Sequence, residues 1–423
     1  MDGPKDPTSR LSRRLGTFDA VVIGLASMIG AGIFAAIGPA ADVAGSGLLL
    51  GLVVAGAVAY CNATSSAQLA ARYPESGGAY VYGSRQLGHL WGYLAGWGFV
   101  VGKTASCAAI ALTFGAYAGD GELERPLAIG AVVCLTAVNC LGVKKTALTT
   151  RVIVMVVFAA LTAIIVATAF GGHVDVDRLG SLTSGGLDGI LRAAALLFFA
   201  FAGYARIATL GEEVTQPRTT IPRAIPIALG ITLGTYLTVA LAALVTIGPG
   251  RVAAARAPLT SAVNAGSLGW LEPAVRIGAT VATLGVLLSL LAGVSRTTFA
   301  MAANGDLPKQ LAAVNERRRV PLRAELTVGV IVAITVAFVE VRGAIGFSSF
   351  AVLGYYAVAN AAAWTLPKHA RRWPRALSAA GFIGCVALVA SLPLESIIGG
   401  CALAIAGVVA YWTTKAVTMP NIP

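Results

Sequence analysis

An apolar run over residues 21–39 is long enough to span a lipid bilayer as a helix, yet its centre is interrupted by Gly30-Ala31-Gly32. The apolar flanks favour a membrane helix, while the paired glycines let the backbone leave the helical path. Backbone N–H and C=O groups freed at membrane depth are tolerated only where they face protein, water or a ligand. The run therefore predicts a broken membrane helix with a binding site at the break.

The same apolar character extends along the whole chain. Of its 423 residues, 57% are hydrophobic and 12% are charged, and the mean hydropathy is +0.79. A soluble domain has too little interior to bury this much apolar surface, whereas lipid solvates it. We predict an all-α, multi-pass membrane protein. Segments of about twenty apolar residues give twelve approximate spans, at 17–42, 46–70, 89–118, 126–143, 150–170, 189–213, 225–248, 273–302, 322–340, 345–366, 376–393 and 396–414.

The distribution of lysine and arginine predicts the orientation of these spans. When the N-terminus and every second loop are placed on one side, and Arg151 and Arg323 at span ends are counted with the loops, that side holds 21 of the 31 basic residues. Because loops rich in Lys and Arg stay in the cytoplasm, we expect both termini there, in a plasma (inner) membrane protein. The net charge of +12 is then explained by this bias and indicates no nucleic-acid partner.

Two segments are too short or too polar to cross the bilayer. Residues 73–82, rich in Pro and Gly, follow the second span, and residues 257–270 follow the seventh. We expect the first to lie along the inner membrane surface and the second to cap the outer face, the alternative for each being an ordinary loop.

A second break occurs five spans after the first. The sixth span is apolar from residue 197, is broken near Gly203 and then becomes polar. Breaks at corresponding places in successive five-span units are typical of inverted repeats with a site at the midplane. Half-helix ends offer free N–H groups and free carbonyls, which complement the two charges of an α-amino acid. The predicted units are a cytoplasmic tail (1–16), two repeats (17–170 and 189–366) and two accessory helices (376–414).

Several motifs in order resemble a known superfamily. They read IGLASMIGAGIF (23–34), YPESGG (73–78), FAFAGY (199–204), IATLGEEV (207–214), IPRA (221–224), APL (257–259), SR (295–296) and AMAANGDLP (300–308). This series resembles the amino acid–polyamine–organocation (APC) superfamily, and it is most similar to the bacterial permeases related to cationic amino acid transporters. The last two spans match only in hydrophobicity.

The resemblance implies the leucine-transporter-like fold of five plus five helices, with helices 1 and 6 unwound, and an amino acid carrier that alternates its access. It implies that backbone N–H groups of the first break bind the substrate carboxylate and that carbonyls of the second bind the ammonium, with the Phe201 ring as a candidate outer gate. The substrate-binding residues that the resemblance implies are Ile29, Gly30, Ala31, Gly32, Ile33, Phe198, Ala200 and Phe201. The predicted site also includes Ala202, Gly203 and Arg206. A simpler interpretation is that the glycines only let helices pack closely.

The sequence departs from the family pattern at three positions. Many relatives have an acidic residue after the Gly-aromatic pair of the sixth span, where this chain has Ala205 followed by Arg206. Many proton-coupled relatives have a lysine in the fifth span, at a position that aligns with Val157. The third span contains Lys103, where an uncharged residue is more usual. The first departure disfavours a cationic substrate.

Lys103 lies about fourteen residues into its span, roughly 20 Å along the helix axis. A charge at that depth costs on the order of 3 kcal/mol, and ionisable groups inside membranes are mostly functional. We interpret Lys103 as the proton-coupling residue that replaces the missing lysine of the fifth span. The alternative is a lysine that snorkels or binds backbone carbonyls.

Two further groups of residues have open interpretations. Arg206 either forms an ion pair with Glu213, two helical turns away, or selects an anionic or polar substrate. Ser289 and Ser295 in the eighth span are weak candidates for a sodium site, since serine is also common packing polarity in membrane helices.

The favoured function is proton-coupled uptake of a small neutral L-amino acid, because Ala31, Ala200, Ala202 and Ala205 leave a compact site. Alternatives are an exchanger, a carrier of an anionic or polar amino acid selected by Arg206, and an amino acid sensor that does not transport. The spans hold no His and carboxylate cluster and no phosphate-binding loop, so we expect neither an enzyme nor an ATP-driven pump, and no cofactor. The expected partners are the amino acid, protons and the lipid bilayer.

Overall fold

The computed structural model describes residues 15–29, 32–73, 77–142, 147–208, 210, 214–315 and 320–418, without the side chains of 147–148 and 414–418. Gly30, Ala31 and Glu213, which the sequence analysis singled out, lie outside these ranges, as do residues 1–14 of the predicted tail. The described residues form sixteen α-helices: α1 (Thr17–Met28), α2 (Gly32–Ala44), α3 (Leu48–Arg72), α4 (Ala79–Leu87), α5 (His89–Ala118), α6 (Glu124–Cys140), α7 (Ala147–Phe170), α8 (Gly186–Phe201), α9 (Ala205–Ala208), α10 (Pro217–Ala254), α11 (Pro258–Asn264), α12 (Glu272–Ala303), α13 (Leu322–Phe338), α14 (Val341–Trp364), α15 (Arg375–Ala390) and α16 (Leu394–Thr418).

Helix is present in every segment that the apolar pattern predicted as a span. Within the described ranges, nine segments are long and apolar enough to cross a membrane, and one of them, Gly32–Arg72, contains both α2 and α3. The helices α1 and α15 are apolar but shorter. The structure therefore confirms an all-α, multi-pass membrane protein, while the number of twelve spans stays a prediction.

Large apolar side chains cover much of the outer surface of the bundle. Phe338 is 81% exposed, and Phe170, Ile383 and Ile405 are also exposed. Lipid solvates such side chains, so helices gain little from hiding them and associate instead through close packing of small residues. Gly51 of α3 shows this packing, because a Cβ atom there would lie 3.0 Å from the Cβ atom of Ala193 in α8.

Short helices occur at the two predicted non-spanning segments: α4 begins in the first and continues to Leu87, and α11 lies within the second. The helix α4 has nine residues, and two hydrogen bonds join its start to distant parts of the chain. The Tyr80 hydroxyl donates to Oδ2 of Asp306, which follows α12 (2.7 Å), and the Ala79 N–H donates to the hydroxyl of Tyr355 in α14 (2.8 Å). Burial raises the pKa of Tyr80 well above its usual value, which keeps the hydroxyl protonated as a donor. The second segment forms α11, only seven residues long.

The two broken spans lie side by side. In one half of the bundle α1 packs on α9, and the Leu15 carbonyl accepts a hydrogen bond from the Thr215 N–H (3.0 Å). In the other half α2 packs on α8, where a Cβ atom at Gly189 would lie 2.7 Å from the Val43 carbonyl oxygen. Because the partners change at the middle of both spans, the two breaks meet there.

Candidate functional site

The first break separates α1 from α2 where the sequence predicts it. The helix α1 ends at Met28. Ile29 follows as the capping residue, and its N–H donates to the Leu25 carbonyl (2.8 Å). The helix α2 then begins at Gly32. Because the C-terminus of a helix presents carbonyls to donors outside the helix, the end of α1 is a place where hydrogen-bond acceptors are available.

The second break is a change of helix type. The helix α8 ends at Phe201, a 3₁₀ turn covers Ala202–Tyr204, and α9 adds a single α-helical turn. Such a stretch within a span weakens the regular hydrogen-bond ladder and frees carbonyls near the end of α8. The structure thus has a 3₁₀ turn at the place near Gly203 where the sequence predicted a break.

Two glycines let the breaks touch through their backbones. A Cβ atom at Gly203 would clash with the carbonyl group of Ser27 and lie 2.8 Å from the Met28 nitrogen. A Cβ atom at Gly32 would lie 2.6 Å from the Cα atom of Ala200. Only glycine fits at these contacts without a shift of backbone, so both glycines have a steric reason to be present.

A tyrosine from a third helix joins the two breaks. The hydroxyl of Tyr236, in α10, lies 2.5 Å from the Met28 carbonyl oxygen and 3.1 Å from the Ala200 carbonyl oxygen and donates to this pair. Its ring packs edge-on against Phe201, with ring centroids 5.4 Å apart. The sequence analysis missed Tyr236. A tyrosine in an otherwise aliphatic span is a usable signal, because its buried hydroxyl needs a partner.

An aromatic cluster supports the second break from the side of α14. The Tyr356 hydroxyl donates to the Ala202 carbonyl (3.2 Å), and its ring stacks on Tyr204 with centroids 5.0 Å apart. Phe198 packs edge-on against the same ring at 5.8 Å. Carbonyls of both breaks are thus bound to tyrosine hydroxyls, and the rings close the space around them.

The structure brings together most of the predicted substrate-binding residues. Ile29, Gly32, Ile33, Phe198, Ala200, Phe201 and Ala202 are buried at the two breaks, and Gly203 is partly buried between them. Arg206 differs, since its side chain is exposed. The proposed Glu213 partner lies outside the described residues.

Val157 lies beside the first break. It lines a small apolar cavity between α1 and α7, together with Leu25, Ala26, Ile29, Ile153, Val154 and Phe158. This position fits the alignment of Val157 with the lysine of proton-coupled relatives. Because the described lining is entirely apolar, no cationic group faces the break from this cavity.

Lys103 is buried in α5, with 7% of its surface exposed. In the described part of the chain its ammonium group has neither a hydrogen bond nor an ion pair. Lys103 lies one turn from Cys107, which shares an apolar cluster with Leu287 of α12 and Val328 of α13. We expect Lys103 on this face of α5, which is a different place from the breaks.

A carboxylate that the sequence analysis missed lies at the start of α13. Glu325 is 4% exposed, and its Oε2 atom accepts a hydrogen bond from the Ser295 hydroxyl of α12 (3.0 Å). The first turn of a helix stabilises a carboxylate through the helix dipole. An acidic residue directly ahead of the apolar residues 326–338 is the signal that sequence reasoning passed over.

The two serines proposed for sodium do not face one place. Ser289 is exposed and its hydroxyl donates to the Gly285 carbonyl of its own helix (3.1 Å), whereas Ser295 is fully buried against Glu325. Six residues apart on α12, they point in different directions. Their geometry gives no support to a shared sodium site.

The amino-acid sequence is similar to those of known membrane transporters. The amino acid permease family matches residues 15–419. An uncharacterized transporter of Mycobacterium tuberculosis is 58% identical over 415 residues, which cover 98% of this chain and 94% of that protein. The branched-chain amino acid permease BcaP of Bacillus subtilis is 25% identical over 434 residues, covering 95% of this chain and 93% of that protein. The vacuolar cationic amino acid transporter 4 of Arabidopsis thaliana is 28% identical over 365 residues, covering 80% of this chain and 60% of that protein.

The family match runs through both breaks and nearly to the end of the chain. It confirms the resemblance that the motifs indicated, including the relationship to cationic amino acid transporters. The chain therefore belongs to the amino acid permease family of the APC superfamily, and it is an amino acid transporter and not an enzyme.

Proposed function

We propose that this permease is a secondary active transporter that works by alternating access and takes up a small neutral L-amino acid together with protons. The observation that carries the proposal is the meeting of two helix breaks, at which Met28 and Ala200 carbonyls and the start of α2 converge around Tyr236. These groups complement an α-amino acid, since carbonyls bind its ammonium and a helix N-terminus attracts its carboxylate.

The side chains at the breaks favour a small uncharged substrate. Ala200 and Ala202 are buried next to Phe198 and Phe201, so the side chains around the carbonyls are either small or aromatic. A charged substrate side chain there would lose its water without a partner of opposite charge among the described buried residues of the breaks. The name of BcaP assigns branched-chain amino acids to that relative, which agrees with an apolar substrate side chain.

Lys103 supplies the proton coupling in this proposal. Its burial without a described partner lets it exist in protonated and neutral forms, and the proton moves with the substrate across the membrane. The coupling then acts between α5 and the breaks through movement of packed helices. The contact of Phe34 in α2 with Tyr117 in α5, at 5.5 Å between ring centroids, is one path for such movement.

The test is uptake of radiolabelled alanine, glutamate and arginine by the purified protein in liposomes, with and without an inward proton gradient. We expect alanine to accumulate when the gradient is present. Accumulation of glutamate instead would favour a carrier selected by Arg206, and movement of alanine only against internal amino acid would favour an exchanger. Binding of alanine with no transport under any condition would contradict the proposal and favour a sensor.

A further inference from the structure

The hydroxyl of Tyr236 lies at the two carbonyls to which the proposed function assigns the substrate ammonium. It is 2.5 Å from the Met28 carbonyl oxygen and 3.1 Å from the Ala200 carbonyl oxygen, and a Cβ atom at Gly32 would lie 2.8 Å from it. One hydroxyl thus contacts the end of α1, the start of α2 and the end of α8. No other side-chain hydroxyl among the described residues makes hydrogen bonds to both breaks.

A tyrosine hydroxyl has one proton to share between these two carbonyls, whereas an ammonium group has three. A charged donor also binds a carbonyl more strongly than a neutral donor does. The ammonium is therefore able to displace the hydroxyl, and the two groups compete for the same oxygens. Buried carbonyls that lose one donor need another, so one of the two must be present for the breaks to stay closed.

We propose that Tyr236 acts as an internal competitor of the substrate: its hydroxyl binds the Met28 and Ala200 carbonyls when the carrier changes its access without an amino acid, and the substrate ammonium replaces it in the loaded carrier. This proposal rests on the proposed function, and it names the residue that allows the unloaded carrier to close.

The role predicts an asymmetry between two modes of transport. Net uptake requires the unloaded carrier to return across the membrane, whereas exchange of one amino acid for another uses only the loaded carrier. Removal of the hydroxyl therefore slows net uptake and spares exchange. It also removes a competitor, so the KM for the amino acid in exchange falls.

The main experiment compares Tyr236→Phe with the wild type in proteoliposomes, using alanine for both proton-driven net uptake and alanine–alanine exchange. Phenylalanine keeps the edge-on contact with Phe201 and loses only the hydroxyl. Since a net hydrogen bond corresponds to about a fivefold change in an equilibrium constant, we expect about fivefold slower net uptake, exchange at the wild-type maximal rate, and about fivefold lower KM in exchange.

Tyr93→Phe is the matched control. Tyr93 is buried in α5, and its hydroxyl has no hydrogen-bond partner among the described residues. Its loss should leave net uptake, exchange and KM unchanged. If Tyr236→Phe does not fold, 3-fluorotyrosine introduced at position 236 by nonsense suppression keeps both contacts with a stronger donor, and we then expect a higher KM.

The two proposals fail separately. Wild-type protein that neither takes up nor exchanges any of the three amino acids overturns the proposed function. Wild-type transport combined with an unchanged KM and an unchanged ratio of net uptake to exchange in Tyr236→Phe, or an unchanged KM with 3-fluorotyrosine, overturns only the role of Tyr236. An equal loss of both transport modes also overturns it, because that result shows a purely structural contact.

Discussion

The two helix breaks and the region between α5, α12 and α13 are both buried and polar, but their polarity has different sources. At the breaks the polar groups are backbone carbonyls, and glycine or alanine side chains leave room for them. Near α5, α12 and α13 the polar groups are ionisable side chains: Lys103 is buried in α5, and Glu325 is buried at the start of α13, where it accepts a hydrogen bond from Ser295 of α12. Backbone groups cannot change their charge at physiological pH, whereas these side chains can.

This difference corresponds to the two tasks that the proposed function requires, recognition of the substrate and coupling to protons. A backbone site recognises the groups common to all α-amino acids without placing a fixed charge in the membrane. An ionisable side chain is expensive at that depth and is retained where its change of charge is used. We therefore propose that recognition takes place at the breaks and coupling in the α5 region, and the predictions below test this division.

The largest effect is expected at the backbone contact between the breaks. In Gly203→Ala the added methyl group meets the Ser27 carbonyl and the Met28 nitrogen, which are backbone atoms and cannot rotate away. Overpacking of this kind costs about 1–3 kcal/mol, roughly fivefold to more than a hundredfold in an equilibrium. We expect transport of alanine to fall to near background in proteoliposomes.

The control for this substitution is Gly234→Ala in α10. A Cβ atom there has no heavy atom within 4 Å, and alanine favours the helix, so uptake should match the wild type. Wild-type transport by Gly203→Ala, in protein shown to be intact by size-exclusion chromatography, would mean that the breaks do not need their close contact.

The second effect is expected at Lys103. In Lys103→Ala we expect proton-driven accumulation of alanine to fall about tenfold, while exchange of alanine is retained. Removing a buried charge relieves a cost on the order of 3 kcal/mol, so the protein should be no less stable. Thermal unfolding then shows whether a loss of accumulation comes from misfolding.

Lys309→Ala, which removes an exposed lysine after α12, is the charge-matched control and should behave as the wild type. The measurements are uptake against the proton gradient and thermal unfolding of the same preparations. Full pH-driven accumulation by Lys103→Ala would end the assignment of coupling to the α5 region.

A smaller effect is expected at the hydrogen bond between α12 and α13. Ser295→Ala leaves the buried Glu325 carboxylate without the hydroxyl that donates to it, which costs about 1–3 kcal/mol of stability. We expect a lower midpoint of thermal unfolding and transport that does not depend on sodium. Ser289→Ala, at an exposed hydroxyl bonded to its own helix, should unfold as the wild type does. A sodium-dependent uptake that Ser295→Ala abolishes would instead restore the sodium site.

The sequence predicted the parts of this site that depend on local chemistry. Helix periods, the glycine break before Gly32 and the break near Gly203 follow from neighbouring residues, and the structure has helices and breaks at these places. It did not predict the role of Tyr236, because that role depends on how α10 packs. The hydroxyl binds carbonyls of Met28, 208 positions earlier in the chain, and of Ala200, 36 positions earlier. Glu325 was missed for the same reason: its partner Ser295 lies on another helix, 30 positions away.

The smallest effect is expected at Arg206, which tests where the recognition region ends. Its side chain is exposed, whereas the carbonyls and rings of the breaks are buried, so a substrate bound at the breaks has no close contact with the guanidinium in this geometry. Exposed charges act weakly through water and salt. We expect Arg206→Ala to keep the order of preference among alanine, glutamate and arginine, with each rate within about twofold of the wild type. Competition of each amino acid against labelled alanine measures this order, and Arg192→Ala, at an exposed arginine paired with Asp188, is the control for loss of an arginine. A rise of arginine or a fall of glutamate in the order, in protein that inserts normally, would extend the recognition region to Arg206 and make charge selection a second task of the break itself.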